Sequence, residues 1–393
     1  MSAPTDPPSP HGAPSDPPPV DRRPKPPPPT VDRRRVLALG GIGAIAVLGA
    51  AALTAPRPRR LGEPSGDESL TSALAPYLAG HSRVGIAVLD PDVEEPRLAG
   101  FGTDDGEGAE EFEIGSVSKT FTGALLALAI EHGEADLSDT VADILGEGAT
   151  GSDIADVQLE ELATHTSGLP TIPPSRLPLT IPASLLRKDP YAGRDAEGVI
   201  ADALAVTPTG RGDYAYSNLA IALLGQLLVR LVGPAYPELL RERVLDPLGL
   251  AATTVPEVPA NLAPTARDGA AVSGLSAAPW TMAGTAPAGG IRSTPADMAT
   301  YLQAMRDGTA PGASAATEVL RERSGTRRTA MTWHHLDLDG EAGTVIWHNG
   351  MTGGYASFVG WNRDTGLGVV LLTDTALSLD EAALAVLAGE VER

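Results

Sequence analysis

The sequence predicts an α/β (α+β) fold: one antiparallel sheet flanked by helices, with a helical lobe inserted into it. Three observations carry this. Strand-like apolar runs lie at both ends of the folded part, at 83–101 and at 344–372. The last three runs are joined by turns too short for anything but antiparallel pairing. Between the two ends, about 135–310 is rich in helix-like segments, Gly/Pro turns and small residues. A single sheet drawn from both ends, with helices packed on it and a lobe beside it, satisfies all three.

Three regions are expected along the chain. Residues 1–32 are proline-rich, with 13 prolines in the first thirty positions and few large apolar side chains. Such a segment cannot bury a core and is expected to be disordered. Residues 33–60 place Arg33-Arg34-Arg35 before an apolar run at 36–55 and Arg57, Arg59 and Arg60 after it. That order reads as a twin-arginine-like export signal or an uncleaved membrane anchor, with Ala50-Ala51-Ala52 as a weak cleavage site. Either reading makes the protein exported and extracytoplasmic, secreted or anchored, with membrane contact only through residues 36–55. Gly41-Ile42-Gly43-Ala44-Ile45-Ala46 fits a loose dinucleotide fingerprint, but no strand precedes it.

Residues 61–393 form the domain. They carry 20 basic and 46 acidic side chains, a net of −26. A nucleic-acid partner is therefore not expected. The absence of cysteine excludes disulfides, thiolate metal sites and a cysteine nucleophile. The seven histidines show no metal spacing; His334-His335 are adjacent and project differently on any regular element.

Within the domain, 65–78 reads as an amphipathic helix with Leu70, Leu74 and Leu78 on one stripe. Strands are expected at 83–90, ended by Asp90-Pro91, and at 97–101. Residues 116–131 read as a buried helix stopped by Gly133. Residues 219–232 form an apolar helix, and Thr294-Pro295-Ala296-Asp297 is a helix start with a Thr cap, an N1 proline and an early acid. Strands follow at 344–347, 356–361 and 367–372, then a helix at 379–391.

Chemistry concentrates where the 116–131 helix begins. Ser116 and Lys119 stand at i and i+3, so they share one face. An amine beside a hydroxyl can activate it for attack on a carbonyl. Lysine is rare here, three residues against 26 arginines, so the base that can lose its proton stands where the other would not serve. Two further short motifs follow: Tyr216-Ser217-Asn218 before the apolar helix, and His348-Asn349-Gly350 at the end of a strand.

In that order and spacing, the chain resembles the serine β-lactamase and D-alanyl-D-alanine carboxypeptidase superfamily, in its class C-like, Tyr-x-Asn branch. Supporting segments are Thr164-His165-Thr166-Ser167-Gly168-Leu169, Asp246-Pro247-Leu248-Gly249-Leu250 and Gly289-Gly290-Ile291-Arg292-Ser293-Thr294. The resemblance covers roughly 68–393 and implies a β-lactamase/transpeptidase-like fold. It implies an exported serine hydrolase acting through a Ser116 acyl-enzyme, without metal or cofactor. Lys119 and Tyr216 would be the bases, with either as the principal one. Asn218 would hydrogen-bond Lys119 and the substrate amide. His348 and Gly350 would face substrate, and the N–H groups of Ser116 and Met351 would form the oxyanion hole. The expected substrate is a cell-wall D-alanyl peptide or a related amide or ester. A class C-like β-lactamase, an esterase, or a penicillin-recognising sensor without turnover are the alternatives.

The chain departs from the superfamily in one place that matters. His348 stands where most β-lactamases have lysine, and a neutral imidazole attracts a substrate carboxylate less than an ammonium does. That favours a peptidase or esterase. Arg292 is an open candidate for such a carboxylate. His165 is expected to shape a loop beside the site, and Arg211-Gly212-Asp213 reads as a turn. Of Tyr214 and Tyr216, only Tyr216 fits the triplet.

Overall fold

The computed structural model describes residues 59–104, 106–338, 340 and 342–391. The segment expected to be disordered, and nearly all of the 33–60 signal or anchor, lie outside the described residues. The strands among the described residues are β1 (Pro64–Gly66), β2 (Val84–Leu89), β3 (Arg97–Phe101), β4 (Phe112–Glu113), β5 (Gly269–Ala270), β6 (Ser276–Ala277), β7 (Arg292–Ser293), β8 (Arg321–Ser324), β9 (Arg327–Thr329), β10 (His334–Asp337), β11 (Thr344–Met351), β12 (Ala356–Asn362) and β13 (Gly368–Thr373). Nine of them form one sheet, in the order β1-β3-β2-β13-β12-β11-β10-β9-β8. Every neighbouring pair in it is antiparallel. The junction of the two chain ends is β2 on β13, in register from Val84↔Thr373 to Leu89↔Gly368.

Alternation along these strands feeds two cores, one on each face. Val84, Ile86, Val88, Phe358, Val369 and Leu371 pack with Leu70, Leu74, Val386 and Leu387. The helices Glu68–Leu74 and Asp380–Leu387, from opposite ends of the chain, thus cover the same face. Ala87, Leu89, Val359, Trp361, Val370 and Leu372 point the other way, into the larger core. There the helices Ser118–Glu131, Asn218–Val232 and Pro295–Arg306 carry the lobe. Burial on both faces explains why β13 reads as an unbroken apolar run. Among the described residues, no single helix is long and apolar enough to cross a membrane.

Some elements differ from expectation for local reasons. The helix expected at 65–78 splits, because Asp67 caps a shorter one by accepting from the N–H groups of Ser69 and Leu70. Residues before the cap become the edge strand β1. The last helix ends at Leu387 rather than running to 391, where Gly389 at φ +74° turns the chain back so that its N–H reaches Val386 O. The helix expected to start at Ser116 starts at Ser118, after a tight 3₁₀ turn at Gly115–Val117. β8, β9 and β10 were not foreseen. Arg321-Glu322-Arg323-Ser324 and Arg327-Arg328 show no apolar alternation, because this hairpin is the exposed outer edge of the sheet.

Candidate active site

The turn that carries Ser116 is wedged against the end of β11. Gly350 leaves no room for a side chain: a Cβ there would lie 2.1 Å from Ile114 O and 2.9 Å from Ser116 N. Ser357 Oγ donates to Ile114 O at 2.7 Å and fixes the same contact from β12. Gly115, at φ +49°, would place a Cβ 2.8 Å from Met351 N. Two glycines therefore bring the N–H groups of Ser116 and Met351 together.

Strand geometry sets the direction of the Met351 N–H. Thr352 N donates to Tyr355 O at 3.0 Å. Bonded and non-bonded pairs alternate along an antiparallel ladder, so Met351, opposite Ala356, turns its N–H away from β12. It points to the side where β10 would continue, but β10 ends its pairing at His334↔Trp347. The Met351 donor is thus left to whatever enters beside the strand.

Lys119 is fully buried. Its Nζ lies 2.9 Å from Ser116 Oγ and donates to Ala288 O at 2.5 Å. The same ammonium stands 5.0 Å from the centre of the Tyr216 ring. Burial drives its pKa well below the ordinary lysine value. The Gly289-Gly290-Ile291 segment packs under this turn, where Ile291 N donates to Ser118 Oγ at 3.1 Å.

Tyr216 precedes the Asn218–Val232 helix, which Ser217 caps by accepting from Ala220 N at 2.9 Å. Its hydroxyl hydrogen-bonds Ser116, while burial pushes its pKa above the usual phenol value. His165 holds this segment. Its carbonyl accepts from Ala215 N at 2.8 Å, and its Nδ1 accepts from Ser217 N at 3.2 Å. The ring stacks at a tilt on Tyr216, 4.6 Å between centres. His165 is fully buried at φ +60°, a left-handed conformation uncommon for residues other than glycine.

Two predicted residues take unexpected partners. Asn218 Nδ2 donates to the hydroxyl of Tyr191 at 2.9 Å, and its Oδ1 is buried with no partner. The expected hydrogen bond from Lys119 to Asn218 is therefore not made; the lysine turns to Ala288 O instead. Nothing in the sequence around Tyr191 marked it. His348 is 1% exposed and stacks on His334, 4.9 Å between centres. Its Nδ1 lies 2.6 Å from Asn349 O, a carbonyl that can only accept, so Nδ1 is the donor; Nε2 is buried with no partner. Burial, then the neighbouring His334 and Lys119, push its pKa well below the ordinary histidine value. His348 is a buried ring whose surroundings favour its neutral form. Arg292 also differs from its candidacy: it is 1% exposed and paired with Glu111 at 2.6 Å and Glu113 at 2.9 Å.

A cleft of about 500 Å³ opens over the turn. Of the predicted residues, Ser116, Tyr216, Asn218, Gly350 and Met351 line it, while Lys119 and His348 lie outside its lining. Tyr214, Arg323, Arg327 and His334 line it as well. Among the described residues, no cluster of three His, Cys, Asp or Glu side chains could hold a metal ion.

Comparison with known proteins places the family and the fold. The beta-lactamase family model matches residues 70–391. The chain belongs to the beta-lactamase family. This is the serine β-lactamase/DD-peptidase superfamily, and its fold is that of the class C enzymes. A class C beta-lactamase structure superposes with a TM-score of 0.70 at 20% identity, covering 83% of this chain and 96% of the other. The D-alanine carboxypeptidase AmpC of Burkholderia cenocepacia gives 0.67 at 23%, covering 82% and 98%. By sequence, a beta-lactamase of Yersinia enterocolitica is 31% identical over 61% of this chain and 59% of its own length. Penicillin-binding protein 4 of Amycolatopsis lactamdurans is 28% identical over 67% and 72%. The first three curated relatives are matched over only 59%, 47% and 34% of their lengths. The wedge of Gly115 and Gly350 and the amine–hydroxyl–phenol cluster lie together within the residues that the family model matches.

Proposed function

We propose that this chain is an exported serine hydrolase that works through a Ser116 acyl-enzyme, on D-alanyl peptides or related amides and esters. The observation that carries the reading is the 2.9 Å approach of a fully buried Lys119 Nζ to Ser116 Oγ. Burial lowers the lysine pKa and raises that of Tyr216. The amine is then the group with a free lone pair, and the phenol keeps its proton. Ser116 Oγ attacks the carbonyl carbon as its proton passes to Lys119. The resulting oxyanion accepts from the N–H groups of Ser116 and Met351, each worth about 3 kcal/mol of barrier. Tyr216 relays the proton from Lys119 to the leaving group, whose bond to carbon breaks. Water then attacks the ester, and the same groups return its proton to Ser116 Oγ.

Substrate preference rests on the neutral, buried His348. A relative of Escherichia coli named D-alanyl-D-alanine-carboxypeptidase/endopeptidase AmpH, 29% identical over 48% of this chain, fits that preference. Export rests on the arginine-flanked apolar run at 36–55. Mass spectrometry of the mature N-terminus separates a cleaved signal from an anchor.

A labelled penicillin, a D-Ala-D-Ala peptide, a short-chain nitrophenyl ester and a chromogenic cephalosporin test the activity together. Labelling followed by release, with turnover of peptide or ester, is expected. Ser116→Ala should lose about 10⁴-fold or more. Equal labelling of that variant would remove Ser116 from its role. Stable labelling without turnover would make the protein a sensor, and turnover of the cephalosporin alone would make it a β-lactamase.

A further inference from the structure

The third motif lacks its cation, yet the cleft does not lack positive charge. Arg323 and Arg327 line it, both from the β8–β9 hairpin at the edge of the sheet. The hairpin carries four arginines, and they divide cleanly. Arg321 pairs with Glu160 at 2.8 Å, and Arg328 pairs with Asp337. Arg323 and Arg327 have no carboxylate partner among the described residues. The acid that lines the cleft, Asp380, is engaged by Asn349 Nδ2, 3.0 Å from each carboxylate oxygen. In a chain of net charge −21, two unpaired guanidiniums on the wall of one cleft call for an explanation.

The backbone supplies a second observation. The register of β8 on β9 runs from Glu322↔Arg328 to Ser324↔Arg327, so Arg323 is the extra residue of a β-bulge. A bulge beside a site re-aims one side chain out of the ladder. Here it lays the Arg323 guanidinium 3.3 Å from the centre of the Tyr214 ring. Tyr214 is two residues from Tyr216, so the hairpin is tied to the Tyr-x-Asn segment by a cation–π contact. Both guanidiniums line the same cleft, and the charge of Arg327 works against that of Arg323. Their mutual repulsion is relieved by an anion between them.

We propose that Arg323 and Arg327 form a carboxylate-recognition site on the cleft wall, selecting substrates that carry a free carboxylate in place of the cation missing from the third motif. Arg323, half-buried and held over Tyr214, presents a rigid fork suited to two parallel hydrogen bonds. Arg327, exposed, adds longer-range attraction that salt screens. This inference rests on the hydrolase reading.

The test compares charged and blocked forms of the same substrate. One pair is mono-4-nitrophenyl glutarate and its methyl ester; the other is a D-Ala-D-Ala peptide and its C-terminal amide. In the wild type, kcat/KM should favour the free carboxylate about 10–100-fold in at least one pair. Arg323→Ala/Arg327→Ala should bring that ratio toward one, and Arg323→Lys/Arg327→Lys should keep part of it. A ratio near one in the wild type for both pairs, or an unchanged ratio in the double alanine variant, overturns the proposal. Loss of methyl-ester turnover in Ser116→Ala checks the hydrolase reading separately. Should no substrate turn over, calorimetry on Ser116→Ala protein decides. Glutarate must bind more tightly than glutaramide, and must lose that advantage without the two arginines; otherwise the site is refuted.

Discussion

Two buried basic side chains lie near the same turn. Lys119 is fully buried and Arg292 is 1% exposed, and each bonds to residues that frame Ser116. Arg292 lies between two carboxylates, Glu111 at 2.6 Å and Glu113 at 2.9 Å. Burial works against its charge, but Glu113 and Glu111 outweigh it and hold its pKa up. Among the described residues Lys119 has no carboxylate partner; its Nζ meets a hydroxyl at 2.9 Å and a carbonyl oxygen at 2.5 Å. Nothing opposes its burial, and its pKa falls well below the usual value. Equal burial thus acts in opposite directions: the paired guanidinium is a strut through β4 and β7, and the amine without a carboxylate partner is the one the proposed mechanism uses as a base. The residue types match these fates, since guanidinium cannot be deprotonated at ordinary pH and ammonium can.

The sharpest way to break the comparison is Lys119→Met. Catalysis should fall about 10²–10⁴-fold, from loss of the base. Stability, read from a denaturant midpoint, should change by about 1 kcal/mol or less, because an apolar chain replaces a poorly solvated amine. Lys119→Arg should restore no activity. A large loss of stability in Lys119→Met would mean that the lysine is a strut too.

Arg292→Met is the reciprocal experiment. It strands Glu113, which is 3% exposed and whose carboxyl burial already pushes up against the pull of Arg292. A stability loss of about 3–5 kcal/mol is expected. Rates per folded molecule should fall far less than in Lys119→Met. Intact stability in this variant would remove the contrast.

The smallest expected effect concerns the neutral groups around Lys119. His334 is held near a pKa of about 3 by burial first and then by Arg323 and Lys119, and His165 and His348 also lie well below 6.5. In the unfolded chain these rings take up protons below about pH 6.5. The unfolded state then binds more protons, so stability is complete above 6.5 and falls as pH drops toward the folded value of about 3 for His334. Replacing His334 with Phe should flatten the loss between pH 6.5 and 5 by about 1.4 kcal/mol per pH unit. An unaltered slope would mean that His334 is protonated in the folded protein.

The reach of sequence reasoning followed the range of the interactions. Ser116 and Lys119 were legible as a pair because i and i+3 on a helix are neighbours whatever the rest of the chain does. The sheet was legible from β11, β12 and β13, since short turns leave one mode of pairing. The β8–β10 edge was hidden by its charge, and Tyr191 by having no local pattern at all. Arg292 looked like a free cation until Glu111 and Glu113, far away in sequence, met it.

The sequence by itself put Ser116 beside Lys119 on one face and joined the two ends of the chain in one sheet. Those follow from backbone periodicity and turn length, which are local; the Tyr216 and His348 motifs stood out through their resemblance to a family. Only the tertiary structure decided which way each group's charge is pushed: Lys119 and His348 toward neutral by burial, Arg292 toward charged by Glu113 and Glu111. It also decided that a bulge turns Arg323 into the cleft, and that two glycines let β11 close on the Ser116 turn. Charge state depends on desolvation and on partners brought from distant segments, and close backbone approach depends on which surfaces meet. Neither is encoded in the neighbours along the chain.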